Sequence, residues 1–184
     1  MIDRLWVAAA LAVVSGVASS AHGAVVAATP QGFALESTAI VAATPAKVFA
    51  ALGQVPKWWD GAHSYSGVAA NISVDMRAGG CWCEALSGGG SIEHMRIVQV
   101  RPGARLVARG GLGPLQGEGA DGALTWALKA VPGGTELKQT YVVGGYMRQG
   151  GEVLASAVDA VMSAGFARLT RYIETGSPEA AKPR

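Results

Sequence analysis

Charge is scarce in this chain. Asp, Glu, Lys and Arg make up only 15% of its 184 residues, and the formal net charge is +2. There is no block of like charge and no basic stripe, so the electrostatic footprint of a nucleic-acid binder is missing. The signature motifs of common enzyme classes are missing too. No nucleophile-elbow Gly-x-Ser-x-Gly, Walker loop, His-Glu-x-x-His or dinucleotide fingerprint occurs, and Gly117-Glu118-Gly119 is too sparse to count as one. No cofactor is therefore expected. There are no internal repeats. The apolar run near the N-terminus, Leu5 to Val17, is about 13 residues, short of the ~20 that a membrane span requires. No membrane span is expected to remain after processing.

Hydrophobic residues make up 50% of the chain, enough to rule out disorder for its bulk and to build one domain with a single core. The first 23 residues have the layout of a cleavable signal: Arg4 beside the amino terminus, the Ala-rich run, and the small residues of Ala21-His22-Gly23 before a cut. No cysteine lies near that cut to carry a lipid anchor. This predicts a periplasmic or secreted protein with a signal over residues 1–23, a linker over 24–32, a domain over 33–175 and a polar tail over 176–184.

The strongest local pattern is near the C-terminus. From Val153 to Ile173, apolar residues recur at helical spacing through Leu154, Ala157, Val158, Val161, Met162, Gly165, Phe166, Leu169 and Tyr172. Gly176 and Pro178 stop the helix. At 1.5 Å per residue it is about 30 Å long, the span of a small domain. Upstream, Phe33 to Ala42 reads as a strand. Thr44-Pro45 starts a short helix, ended near Gly53, and Pro56 begins a second segment carrying Trp58 and Trp59. Strands then follow at Ile72–Met76, Cys81–Leu86, Ile92–Val100, Arg105–Arg109, Leu124–Lys129 and Leu137–Val143, separated by Gly- and Pro-rich turns, with period-2 alternation in the first and the last two. Short turns imply antiparallel pairing. The fold class is α+β: a curved antiparallel sheet of about six to seven strands around a long C-terminal helix, with two short helices after strand one.

Several stretches resemble the SRPBCC superfamily and its helix-grip fold: Ala43 to Leu52, Trp58-Trp59, Gly79 to Glu84, Val100 to Leu106, Gly133 to Leu137, and the terminal helix. That superfamily includes START-type lipid-transfer domains, birch-pollen-allergen-like proteins, polyketide cyclases and activator domains of heat-shock cochaperones. The resemblance implies an internal apolar cavity between sheet and helix. It is weak on function, because one fold hosts many unrelated activities.

Cys81-Trp82-Cys83-Glu84 faces Ile92-Glu93-His94-Met95-Arg96 across a Gly88-Gly89-Gly90 loop, and two registers are open. A two-residue turn sets Cys83 opposite His94 and Cys81 opposite Arg96, which could gather thiolates and imidazole around a metal. A three-residue loop sets Glu84 opposite His94 and Trp82 opposite Arg96. We favour the second, since Trp82 suits a cavity wall and Glu84, His94 and Arg96 then form a buried or half-buried polar group. No fourth metal ligand is evident, so no metal is expected. The cysteines read as two half-buried thiols. An oxidising compartment favours a disulfide, but alternate residues on an extended strand lie ~6.5 Å apart, near the upper limit for one.

A hydrophobic small molecule is the expected partner. Its site is assigned to Trp59, Trp82, Glu84, His94, Leu112, Leu115, Trp126, Gln139, Tyr141, Val158 and Met162, with Tyr146 among the surrounding aromatics and Leu112, Pro114 and Leu115 as a gate. The weight falls on binding rather than catalysis. A cofactor-independent cyclase or dehydratase would use Glu84 and His94 as acid–base pair and Tyr141 as oxyanion donor. An exposed indole of Trp58-Trp59 would instead serve protein interaction. Ala157 and Gly165, the small residues of the helix stripe, are read as leaving room for a ligand.

Overall fold

The structure is a computed structural model, and it describes residues 22–180. The expected signal over residues 1–23 lies almost wholly outside them. Eight strands form one antiparallel sheet: β1 (His22–Thr29), β2 (Gly32–Val41), β3 (Ile72–Val74), β4 (Cys81–Ala85), β5 (Ser91–Arg101), β6 (Arg105–Arg109), β7 (Gly119–Val131) and β8 (Gly134–Tyr146). Their order is β1-β2-β8-β7-β6-β5-β4-β3. Two short helices, α1 (Pro45–Leu52) and α2 (Val55–Trp58), follow β2, and the long helix α3 (Gly151–Thr175) closes the chain. This is the α+β helix-grip arrangement.

The strand beyond the expected count is β1. It occupies the segment read as a linker and pairs with β2 from His22↔Thr38 to Thr29↔Gly32. Its small residues from Gly23 onward are exposed on both faces, so no alternation marks it. It is coupled to the helix through Gly151, whose added Cβ would lie 2.6 Å from the Thr29 carbonyl oxygen. Glycine there lets α3 begin directly against the β1–β2 turn, where its N–H donates to the Pro30 carbonyl at 3.0 Å.

The helix ends follow local chemistry. The Thr44 hydroxyl accepts from the Lys47 amide at 3.3 Å at the start of α1, with Pro45 in the first turn. Gly176 takes φ +80°, and its N–H donates to the Tyr172 carbonyl at the end of α3. The buried stripe of α3 runs through Gly151, Ala155, Val158, Met162, Gly165, Phe166, Leu169 and Ile173. It is narrower than the sequence pattern, since Val153 and Ala157 are exposed. The stripe packs into the concave face of the sheet against Phe33, Leu35, Leu124, Leu137, Tyr141 and Val143. Each large apolar side chain fully buried there contributes about 1.5–3 kcal/mol. By length and hydropathy α3 could cross a membrane. Its apolar stripe is instead spent on the sheet. The Arg168 Nε donates to the Trp58 carbonyl at 2.9 Å and ties α2 to the helix.

Candidate functional site

Sheet and helix do not fill the space between them. A cavity of about 480 Å³ remains, walled by Trp82 and His94 from β4 and β5 and by Leu154, Ala157, Val158, Val161 and Met162 from α3. Trp59, Ile72, the loop residues His63 to Tyr65, and Leu112 to Pro114 complete it.

The placement of His94 depends on an irregularity in the β4–β5 ladder. Cys81 pairs with Arg96 and Trp82 with Met95, but Cys83 pairs with Glu93 and Glu84 with Ile92. The register slips by one residue, and His94 is the extra residue of a β-bulge. Neither regular register runs the length of the hairpin: Cys81 opposite Arg96 follows the two-residue turn, Cys83 opposite His94 does not, and the favoured Trp82–Arg96 pairing is replaced by Trp82–Met95. The bulge turns two consecutive residues, His94 and Met95, inward on β5, while Trp82 and Glu84 point inward from β4. Arg96 is left on the outer face, where it pairs with Glu93. It is no part of the buried polar group.

Glu84 and His94 do come together. The His94 Nε2 lies 2.8 Å from the Glu84 Oε2, and the Glu84 side chain is out of contact with solvent. The Tyr65 amide also donates to the Glu84 Oε2, at 3.1 Å, and the Ser66 amide donates to its Oε1. Burial would raise the pKa of this carboxyl. The Ser66 hydroxyl and amide, the Tyr65 amide and His94 outweigh that and bring it down to about 2. Glu84 is thus a carboxylate that stands behind His94 rather than a cavity-lining group, and it pins the 61–66 loop over the site. Tyr65 in turn packs on the His94 ring, with centroids 5.9 Å apart.

Of the other expected site residues, Trp59, Trp82, Leu112, Val158 and Met162 line the cavity. Trp126, Gln139, Leu115 and Tyr141 are buried behind it. The Trp126 Nε1 donates to the Gln139 Oε1 at 2.9 Å, and the Trp126 ring backs Trp82 at 6.0 Å between centroids. The Tyr141 hydroxyl donates to the Gly110 carbonyl at 2.9 Å and accepts from the Leu112 amide at 3.1 Å. It anchors the loop that carries Leu112. Burial, opposed by the Leu112 amide and helped by the charge of Asp121, pushes its pKa far up. With its O–H given to the Gly110 carbonyl and its side chain behind the lining, it is no oxyanion donor to the cavity. Tyr146 is 73% exposed and takes no part.

The two adjacent indoles part company because Trp58 is the last residue of α2 and Trp59 is extended. Trp58 is buried, with its Nε1 donating to the Ala51 carbonyl at 2.9 Å. Trp59 turns to the cavity, edge-on to Trp58 and Trp82, and its Nε1 donates to the His63 carbonyl. An exposed tryptophan for a protein partner is therefore absent from this pair. Gly165 serves Trp59 rather than a ligand: an added Cβ would lie 2.8 Å from the Trp59 Cζ3. Ala157 does face the cavity.

His63, Ser64, Tyr65 and Ile72 are site residues that the sequence reading missed. The first three lie in a stretch read only as a loop, where no periodicity signals direction. Ile72 carried a legible signal as an inward position of an alternating strand.

Cys81 and Cys83 form a disulfide, which corrects their reading as free thiols. Their Cα atoms are 5.4 Å apart, closer than on an extended strand, at the point where β4 meets the bulge. The bond sits on the outer face and takes both thiolates away from a metal. Among the described residues no cluster of three His, Cys, Asp or Glu is placed to hold one.

Solved structures share this fold at low sequence identity. A conserved protein of unknown function from Enterococcus faecalis is 14% identical, with a TM-score of 0.56 over 89% of this chain and 80% of that one. CalU16 from Micromonospora echinospora is 19% identical, with a TM-score of 0.50 over 86% and 88%. The Aha1 dimer from Colwellia psychrerythraea is 14% identical, with a TM-score of 0.53 over 78% and 97%. At these identities the likeness is one of fold. Among curated proteins none matches the chain. Residues 33–174 match the family described as polyketide cyclase / dehydrase and lipid transport. With the helix-grip sheet, the long closing helix and the cavity between them, that match places the chain in the polyketide cyclase / dehydrase and lipid transport family, within the SRPBCC superfamily.

Proposed function

We propose that this chain is an exported binding protein that carries an apolar small molecule in the cavity between sheet and helix. The observation that carries the reading is the lining. About 480 Å³ is walled by Trp59, Trp82, Ile72, Val158 and Met162, with few polar groups among them. Small-molecule sites have this size and this character. Export rests on the composition of residues 1–23, and the Cys81–Cys83 disulfide suits an oxidising compartment. Native mass spectrometry of protein purified from its own host tests the carrier reading. A retained non-covalent adduct is expected. Protein that arrives empty and also fails to take up 1-anilinonaphthalene-8-sulfonate overturns it.

One observation favours a second reading, acid–base chemistry without a cofactor. His94 faces the cavity with a carboxylate behind it, the arrangement that orients an imidazole for proton transfer. Tyr141 is spent on the loop that carries Leu112, so stabilisation of a developing oxyanion would fall to other groups. If His94→Ala retains ligand and the wild type converts nothing it binds, this second reading ends and the carrier reading stands.

A further inference from the structure

The polar atoms that open on the cavity narrow the ligand class. Most polar side chains around it are committed within the protein. The Trp59 Nε1 donates to the His63 carbonyl, the Ser64 hydroxyl to the Gly61 carbonyl, and the Tyr65 hydroxyl to the Gly113 carbonyl. The His63 imidazole also borders the cavity but is exposed to outer solvent. Two buried groups differ. Trp82 and His94 are neighbours across the bulge, both buried from outer solvent and both on the cavity wall. The Trp82 Nε1 has no acceptor among the described residues, and neither has the His94 Nδ1 a partner. No buried side-chain nitrogen or oxygen among those residues is both sealed off and unpaired. Both atoms therefore open into the cavity.

Their hydrogen-bonding roles follow from what surrounds them. An indole Nε1–H is a donor only. The His94 Nε2 faces a carboxylate oxygen of Glu84, and the Tyr65 and Ser66 amides donate to that same carboxylate. An ionised carboxylate only accepts, so in the neutral form of the imidazole the proton sits on Nε2 and the Nδ1 lone pair is left to the cavity. The wall thus presents one donor beside one acceptor. A hydroxyl satisfies both at once from a single atom. A carboxylate would accept from Trp82 but oppose the Nδ1 lone pair, and an ether or ketone could not donate to it.

Building on the cavity as a ligand site, we infer that the ligand carries a hydroxyl on an apolar, ring-sized skeleton, seated between the Trp82 Nε1 and the His94 Nδ1. Calorimetric titration of the full chain with 2-naphthol, 2-methoxynaphthalene and 2-naphthoate tests it. The naphthol is expected to bind about tenfold tighter than the other two, the worth of one well-made hydrogen bond. Trp82→Phe keeps an aromatic wall and should cut naphthol affinity to near that of the ether. On the wild type, 2-naphthol should shift the His94 Nδ1 resonance in 15N spectra and the ether should not, a readout that does not depend on any variant folding. Equal affinity for all three, or tightest binding of the naphthoate, overturns the hydroxyl assignment and leaves the cavity as a ligand site. Failure of all three to bind overturns both.

Discussion

The His94 Nε2 lies 2.8 Å from the Glu84 Oε2 although the two residues are not partners in the strand ladder. Glu84 pairs with Ile92, and His94 is the bulged residue that the ladder skips. The contact exists because the bulge turns His94 to the inner face, where Glu84 already points. A buried carboxylate with its donors assembled around it couples the fold of β4 and β5 to the loop carrying Tyr65 and Ser66.

That coupling predicts a specific acid sensitivity. The Glu84 pKa is about 2 in the folded protein, against an ordinary value of 4.5. As pH falls below 4.5 the unfolded chain takes up the proton first. The stabilisation is therefore complete above about pH 4.5 and is lost as pH falls toward 2. It amounts to on the order of 3 kcal/mol, the size of the shift from 4.5 to about 2. Urea unfolding at a series of pH values should show this slope in the wild type and a flatter one in Glu84→Gln. An unchanged slope in the variant contradicts the assignment.

Gly165 and Trp59 form a lock of size. Gly165→Ala drives a methyl group to 2.8 Å from the Trp59 ring, and overpacking of this kind costs about 1–3 kcal/mol. Trp59→Leu removes the obstacle. In a double-mutant cycle the alanine should cost markedly less on the Trp59→Leu background, a coupling above about 0.5 kcal/mol. Additive effects would mean that the glycine is needed for something other than this ring.

How far the sequence foretold these contacts differs from element to element, for physical reasons. α3 was legible because Val158, Met162, Phe166, Leu169 and Ile173 repeat at helical spacing before a Gly-Ser-Pro stop. The inward positions Trp126 and Tyr141 were legible from period-2 alternation, while Trp82 and Glu84 were set inward on the strength of a register that the bulge replaces. β1 escaped because its small residues are exposed on both faces. The bulge escaped because a single inserted residue leaves both regular registers looking acceptable, and only the contact with Glu84 decides. Gly165 was misread because a gap in a stripe looks the same whether a ligand or a distant tryptophan fills it.

The Cys81–Cys83 bond closes a very small loop, so it constrains the unfolded chain little. Cys81→Ser with Cys83→Ser should cost only about 1–2 kcal/mol. Protein purified from its own host, denatured and alkylated without reductant, should gain no label and should gain two after reduction. Two labels without reductant would show free thiols and remove the disulfide.

Ala157 separates a cavity from a core. Its methyl group faces the open space from α3, and the residue is exposed, so a longer side chain meets no packed neighbour. Ala157→Leu should leave the denaturation midpoint within the range of an ordinary surface change, about 0.5 kcal/mol. The added side chain projects into space that a ligand would fill. Affinity for 1-anilinonaphthalene-8-sulfonate should drop at least tenfold, or uptake should vanish. A loss of stability of several kcal/mol would show the region to be close-packed. Unchanged affinity with unchanged stability would place the bound probe elsewhere on the protein, and the wall formed by Val158, Val161 and Met162 would lose its assigned role.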